Sequence, residues 1–333
     1  MAKPVRMADI AEKLDISVVS VSKALAGKPG VSEEMRARII ALSREMGYES
    51  GRTHGESTGN IGVLVSDRFF DETAFYSGLY RSLVLAGGSE GLTSMMEIVS
   101  LEAERDAVLP ALVTGRKVDG LVFMGDLRPE YLRAVARSGL PCLLLDFRLP
   151  GRALDCVVSD NSDGGFALTE HLLAQGVREI GFVGSIRATC SIMDRYLGYQ
   201  RALRMAGLLP REEWLLEDRD CGDGRLLPIA LPDTLPRAFL CNCDEVAYHL
   251  VEALRQRGLR VPEDVAVCGY DDFRFATLCQ PNLTSYRVNV EQMAAEAVQR
   301  LARRIRQERL EPVTCVIPGR LIVRESSAVL PAT

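Results

Sequence analysis

Histidine is nearly absent from this 333-residue chain: His54, His171 and His249 are the whole supply. His54 falls in a glycine-rich stretch and the other two in helical patterns, so a histidine-based catalytic triad or metal cluster has little to draw on. No phosphate-cradling glycine-rich loop is present either. Nine cysteines make an odd count with no Cys-x-x-Cys pair, which argues against a disulfide framework. The nearest approach to a zinc pair is Cys241-x-Cys243 at a strand end, and no second pair follows. Asp218, Asp220 and Asp223 resemble a calcium loop only loosely, because Gly222 stands where a third ligand belongs. No apolar run approaches the roughly 18 residues of a membrane span. The start, Met1-Ala2-Lys3-Pro4-Val5-Arg6, lacks the apolar stretch of a secretory signal, so a cytoplasmic home is expected. No enzymatic activity, metal or cofactor is expected.

The chain has 47% hydrophobic and 26% charged residues, proportions of a globular protein, and a length suited to two or three domains. Net charge is −5, so contact with nucleic acid would have to be local. Residues 1–52 carry nine Lys or Arg against seven Asp or Glu, a local +2 that leaves −7 for the rest. That is the sign a DNA-binding head needs.

Three short helices are predicted within residues 7–47. The first covers about Met7–Leu14, with Ile10, Ala11 and Leu14 on one face. Ser17 caps the second, about Val18–Ala26, which carries Val21, Ala24 and Leu25. After the turn Gly27-Lys28-Pro29-Gly30, Ser32 caps a third helix whose Met35, Ile39, Leu42 and Met46 recur at helical spacing. Two short helices joined by a tight turn present the second as a rod that fits the major groove. Its early residues Val18, Val19, Ser20 and Ser22, with Lys23 one turn on, are the candidate base readers. Valine packs on a thymine methyl and lysine reaches guanine or phosphate. Arg36 and Arg38 on the third helix are candidate phosphate anchors. A three-helix packing module without a DNA role is the alternative.

Residues 49–60 contain no Leu, Ile, Val or Ala and read as a flexible linker. Beyond it, apolar runs at Ile61–Ser66, Leu121–Met124, Cys142–Leu145, Ile180–Val183, Ala238–Cys241 and Val265–Cys268 read as buried strands. Helices are expected near 74–88, 102–114, 129–138, 163–175, 192–206, 245–257 and 290–308. This alternation predicts an α/β core of parallel sheets in two lobes. Such sheets bind ligands at the carboxyl ends of their strands. The candidates there are Asp67, Asp146, Asp244 and Asp271, with Arg195 opening a helix; capping the next helix is the alternative role for each Asp. Carboxylates accept hydroxyls and arginine donates a fork of hydrogen bonds. Phe70, Phe75 and nearby phenylalanines offer a stacking face for a sugar, or ordinary core.

Several ordered motifs resemble the lactose/purine-repressor (LacI) family. They are Asp9-Ile10-Ala11, Val18 to Leu25, Val31-Ser32 with Arg36, Gly47-Tyr48, Gly62-Val63-Leu64-Val65-Ser66-Asp67 and Asp160-Asn161. Asp194-Arg195-Tyr196-Leu197-Gly198-Tyr199, Gly258 to Val265, Gly269-Tyr270-Asp271-Asp272, Leu283-Thr284-Ser285 and Val323-Arg324-Glu325-Ser326 complete the set. The resemblance covers essentially the whole chain. It implies a helix-turn-helix head (1–48), a hinge (49–60) and a two-lobed periplasmic-binding-protein-like core for effector binding and dimerisation (61–333). It also implies a homodimeric repressor of a pseudo-palindromic operator, with an effector, most often a sugar, held by the residues matching Arg195 and Asp271 and with Asp146 at the cleft. A periplasmic sugar-binding protein would share the core but need no head.

The departures from the family are specific. The usual Ala-Arg-x-Leu hinge helix, whose leucine wedges a minor-groove step, is replaced by Glu49-Ser50-Gly51-Arg52-Thr53-His54-Gly55. Three glycines across the linker oppose a helix by about 1 kcal/mol each. A minor-groove contact is therefore expected to be absent or weak, which leaves open a cytoplasmic sugar sensor with partner-dependent DNA binding. Asp15 replaces a usual glycine, and Cys243 takes the place of the amide that normally precedes Asp244. Replacing Arg195 by Ala is expected to abolish effector response with the fold intact.

Overall fold

A computed structural model of the chain describes residues 5–25, 29–46, 57–69, 73–149, 151 and 154–328. The chain divides into two compact units, between Thr58 and Gly59. The hinge motif at 49–55, Gly47-Tyr48 and Phe70 lie outside the described residues.

The first unit is a trio of helices, α1 (Met7–Leu14), α2 (Val18–Leu25) and α3 (Glu33–Glu45). Their apolar faces meet in a small core of Ile10, Ala11, Val21, Ala24 and Ile39. The local chemistry fixes the boundaries. Asp15 takes a left-handed conformation (φ 52°) and ends α1, a conformation that short Asp tolerates better than most residues. Ser17 Oγ accepts from Ser20 N at 3.1 Å and opens α2. Ser32 Oγ accepts from Met35 N at 3.3 Å and opens α3.

The second unit carries strands β1 (Asn60–Ser66), β2 (Thr93–Val99), β3 (Gly120–Met124), β4 (Cys142–Leu145), β5 (Asp155–Ser159) and β6 (Ile180–Val183). β7 (Leu215–Leu216), β8 (Ala238–Cys241), β9 (Ala266–Cys268), β10 (Ser285–Arg287), β11 (Thr314–Ile317) and β12 (Arg320–Ile322) follow. Its helices are α4 (Thr73–Ser89), α5 (Leu101–Arg105), α6 (Ala111–Thr114), α7 (Pro129–Ala136), α8 (Asn161–Ala174), α9 (Cys190–Met205), α10 (Asp244–Gln256), α11 (Arg274–Leu278) and α12 (Val290–Ile305). None of the described helices is long and apolar enough to cross a membrane.

Two parallel sheets form two lobes. The first runs β2-β1-β3-β4-β5-β11 and the second β7-β6-β8-β9. In the first, Val63 of β1 lies opposite Met96 on one side and Val122 on the other. Both sheets reverse direction of growth beside their first strand, between β1 and β3 and between β6 and β8, and these switch points face ligands in such folds. The chain passes between lobes near 159–161, 287–290 and 317–320, so β11 returns late in sequence to pair with β5. Asp155 holds that return: it accepts from Arg300 Nε at 2.6 Å, Arg304 Nε at 2.7 Å and Val313 N at 3.0 Å. Burial alone would raise its pKa, but these hydrogen bonds outweigh it and hold the carboxyl below its usual range.

The helix expected over 102–114 is two short pieces, α5 and α6. Ala107 adopts positive φ, and Pro110 stands at the N-terminus of α6, where its missing N–H costs nothing. Glu97 of β2 then caps that N-terminus, accepting from Ala111 N at 2.7 Å and Leu112 N at 2.8 Å.

A candidate operator-reading face and effector cleft

On α2 the buried Val21 and Ala24 turn Val18, Val19, Ser22 and Lys23 outward. Val18 and Val19 are 46% and 63% exposed, unusual for valine and suited to packing on a thymine methyl. Ser20 is half-buried, its hydroxyl 2.9 Å from that of Ser17, so it serves the helix start. Arg36 departs from the expected phosphate anchor. Its side chain is largely buried, and Nη1 donates to Ala24 O at 2.9 Å, while Glu33 lies 3.5 Å from Nε. It clamps the carboxyl end of α2, where a cation suits the helix dipole. Arg38 on the same helix is exposed.

In the second unit a pocket opens between the lobes at the carboxyl ends of the strands. Asp146, Arg195, Cys243, Asp244, Asp271 and Phe75 all line it. Asp67 does not; it begins a 3-10 turn after β1 and lines a separate groove with Arg68, Asp223 and Arg225.

Arg195 is the centre of the site and is 5% exposed. Glycines at the α8–α9 contact place it. A Cβ on Gly165 would stand 2.1 Å from Arg195 O, and one on Gly198 would stand 2.0 Å from Ser162 O. The two helices therefore touch backbone to backbone. The guanidinium then donates from Nε to Asn161 Oδ1 at 2.8 Å and from Nη1 to Asn242 O at 2.5 Å. It stacks 3.8 Å over the Tyr270 ring and lies 3.4 Å from Asp271 Oδ1.

Two carboxylates share this one cation. Asp146, at the end of β4, accepts from Tyr76 OH at 3.0 Å. Burial pushes it up to about 7 against the pull of Arg195, and Asp271 adds to the rise. Burial also raises Asp271, opposed by Arg195 and Arg219. Both residues hold positive φ, 69° and 96°, a strain that clusters at functional sites and here turns both side chains off their strand ends into the pocket. Asp244 is different. Its oxygens accept from Ser285 Oγ at 2.7 Å and Phe273 N at 2.9 Å, so it ties the loop after β9 to α10. It lines the pocket with its oxygens engaged by the protein, and it does not cap α10, whose N-cap is Cys243.

The strand-end rule did not reach Tyr76, Phe273 or Arg219. Tyr76 extends from α4, one residue beyond Phe75. Phe273 meets Phe75 across the cleft with ring centroids 5.6 Å apart. Arg219 comes from the loop after β7 and donates to Asp218 Oδ2 at 2.8 Å, with Nη2 4.0 Å from Cys243 Sγ. The lobes also meet where Cys190 N donates to Asp126 Oδ2 at 2.8 Å and Arg148 pairs with Asp194 at 2.7 Å.

Residues 6–50 match the family described as bacterial regulatory proteins, lacI family, and residues 169–327 match the periplasmic binding protein-like domain. The chain belongs to the LacI family. It is 25% identical to catabolite control protein A of Priestia megaterium, over 96% of this chain and 98% of that protein. It is likewise 25% identical to the HTH-type transcriptional repressor PurR of Pectobacterium carotovorum subsp. carotovorum (strain PC1), over 96% of each chain. A solved complex of the transcriptional regulator CelR with cellobiose superposes with a TM-score of 0.71 at 27% identity, covering 97% of this chain and 99% of that one. This LacI-family chain is thus a transcriptional regulator, with a helix-turn-helix head on a two-lobed core. One motif of catalysis has the right letters in the wrong place. Gly55-x-Ser57-x-Gly59 has nucleophile-elbow spacing, but it precedes a strand where an elbow must follow one.

Proposed function

We propose that this regulator represses transcription from a pseudo-palindromic operator as a cytoplasmic homodimer, and that a sugar or sugar derivative bound between the lobes alters its grip on DNA. The observation that carries the ligand half is Arg195 set between Asp146 and Asp271 in a pocket walled by both lobes. A ligand that contacts both walls favours the closed arrangement over an open one, and can shift the equilibrium only by that difference in affinity. The DNA half rests on the outward face of α2, where Val18, Val19, Ser22 and Lys23 meet base edges; a two-fold protein then reads half-sites about 34 Å apart. Phe75, Arg195, Asp146 and Asp271 hold the effector, and Cys243 stands beside Arg219 at the pocket wall.

The linker composition favours a second reading, a sugar sensor whose head grips DNA weakly or through a partner. Both are tested by fluorescence anisotropy of a selected operator duplex, titrated with full-length protein with and without sugars, cellobiose first. Repressor function predicts nanomolar binding that one sugar changes at least tenfold. Micromolar binding of every duplex favours the sensor, and an unchanged affinity across the sugars contradicts effector control.

A further inference from the structure

We infer that the cleft selects a non-anionic, hydroxyl-rich ligand and rejects phosphorylated or carboxylated sugars. The inference deepens the reading above, since it takes the cleft to be the effector site.

Three features of the pocket point the same way. First, its unsatisfied atoms are acceptors. Asp146 Oδ1 and Asp271 Oδ1 are buried without a hydrogen-bond donor among the described residues; the 3.4 Å approach of Arg195 to Asp271 lacks hydrogen-bond geometry. A buried acceptor without a donor is costly, so a good ligand brings donors. Sugar hydroxyls do, whereas a phosphate or carboxylate sets its charge beside two carboxylates.

Second, the cations are already engaged. Arg195 serves Asn161, the Asn242 carbonyl, Asp271 and the Tyr270 ring. Arg219 is held on Asp218, which also takes the Ser185 amide at 2.6 Å and the Asn242 side chain at 2.7 Å. Neither guanidinium is waiting for an anion.

Third, the pocket's helix N-terminus is occupied. Thr189, Ser191 and Ile192 at the start of α9 line the pocket, and such an end is a ready phosphate cradle. Here Asp126 of the first lobe takes the Cys190 amide, and Thr189 Oγ1 takes the Ile192 amide at 3.2 Å. The protein's own carboxylate fills the place an anionic ligand would seek. Phe69, Tyr76, Phe75 and Phe273 then offer the apolar wall that suits the C–H face of a sugar ring.

The test is a binding panel on the full-length protein. Mono- and disaccharides, each beside its phosphate ester and its aldonic acid, are titrated calorimetrically at pH 7.5, and the tightest binder is repeated on Asp146→Asn and Asp271→Asn. At least one neutral sugar is expected to bind at least 100-fold tighter than its own phosphate ester and acid. Asp146→Asn is expected to weaken that sugar at least tenfold and to narrow the gap to the anionic partners. A phosphate ester or acid that equals or beats its neutral parent overturns the inference; if Asp146→Asn also changes its affinity, the cleft remains the effector site. Neutral binding that both variants leave unchanged places the sugar elsewhere and overturns the cleft reading with it. Silence from the whole neutral arm overturns the ligand class and leaves operator binding by the head untouched.

Discussion

Replacing Arg195 by Ala should cost the fold as well as the effector response. The guanidinium is buried, and its removal strands Asn161 Oδ1 and the Asn242 carbonyl and leaves Asp271 without its nearest cation. Breaking a buried ion pair by removing one partner costs about 3–5 kcal/mol. The pH dependence follows from the carboxyls. Arg195 lowers the pKa of both Asp146 and Asp271, and burial already holds both above their unfolded values. Above the unfolded carboxylate pKa, the folded state therefore binds more protons than the unfolded one, and stability falls as pH rises. Without Arg195 the folded pKa values climb further, and that fall continues to higher pH. The deficit relative to the wild type should therefore be smallest in the acidic range and grow as pH rises through and beyond neutrality. The lone tryptophan, Trp214, is buried in the second lobe, so urea unfolding followed by its fluorescence reports the relevant transition. A loss under about 1 kcal/mol at pH 8, or the same loss at pH 5 and pH 8, would refute the assignment of Arg195 as the counterion of this pair.

Other outcomes follow from the same geometry. Hydroxyl donation favours the ionised form of Asp146, which lies near pH 7 between Tyr76, Arg195, Asp271 and Asp126; polyol affinity should therefore fall on acidification below pH 7, by at most tenfold per unit, with proton release seen as buffer-dependent heat, and a flat profile from pH 8 to 6 would count against it. Gly165→Ala should destabilise by about 1–3 kcal/mol, because its Cβ meets the Arg195 carbonyl, and should weaken effector binding in parallel; thermal melts and calorimetry check both. Lys23→Ala should cost about 1–3 kcal/mol of operator affinity if Lys23 reads a base; an equal loss on every duplex, with a shallower salt slope, would assign it to phosphate instead.

The legible parts of the fold were those where one force dominates. Cys142–Leu145, Ile180–Val183 and Ala238–Cys241 are unbroken apolar runs because both faces of each strand are buried, and the observed strands have those bounds. The strand β2 escaped notice because it is a half-exposed edge that carries Glu97 for capping. β5 escaped because it opens on a buried aspartate, whose arginine partners come from α12, more than a hundred residues later. At the site, the strand-end rule reached Asp146 and Asp271, since side chains following buried strands must emerge at the switch point. It also reached Asp244, which lines the same pocket with its oxygens held by Ser285 and Phe273, but it overreached at Asp67, which emerges into the neighbouring groove. Tyr76, Phe273 and Arg219 come from a helix and two loops with no periodic signal, and only the folded lobes bring them together. Arg36 shows the same limit in the head: a lone arginine on a helix reads equally as phosphate anchor or as helix clamp until its carbonyl partners are known.

The central claim is that the head reads a two-fold DNA site, and selection from random duplexes by the full-length protein near physiological salt tests it most directly. The account predicts enrichment of a pseudo-palindrome whose half-sites include thymines opposite Val18 and Val19, and whose centre is weakly specified because the linker carries no wedge. Recovery of no enriched motif, with or without the sugar that binds the cleft, would contradict it.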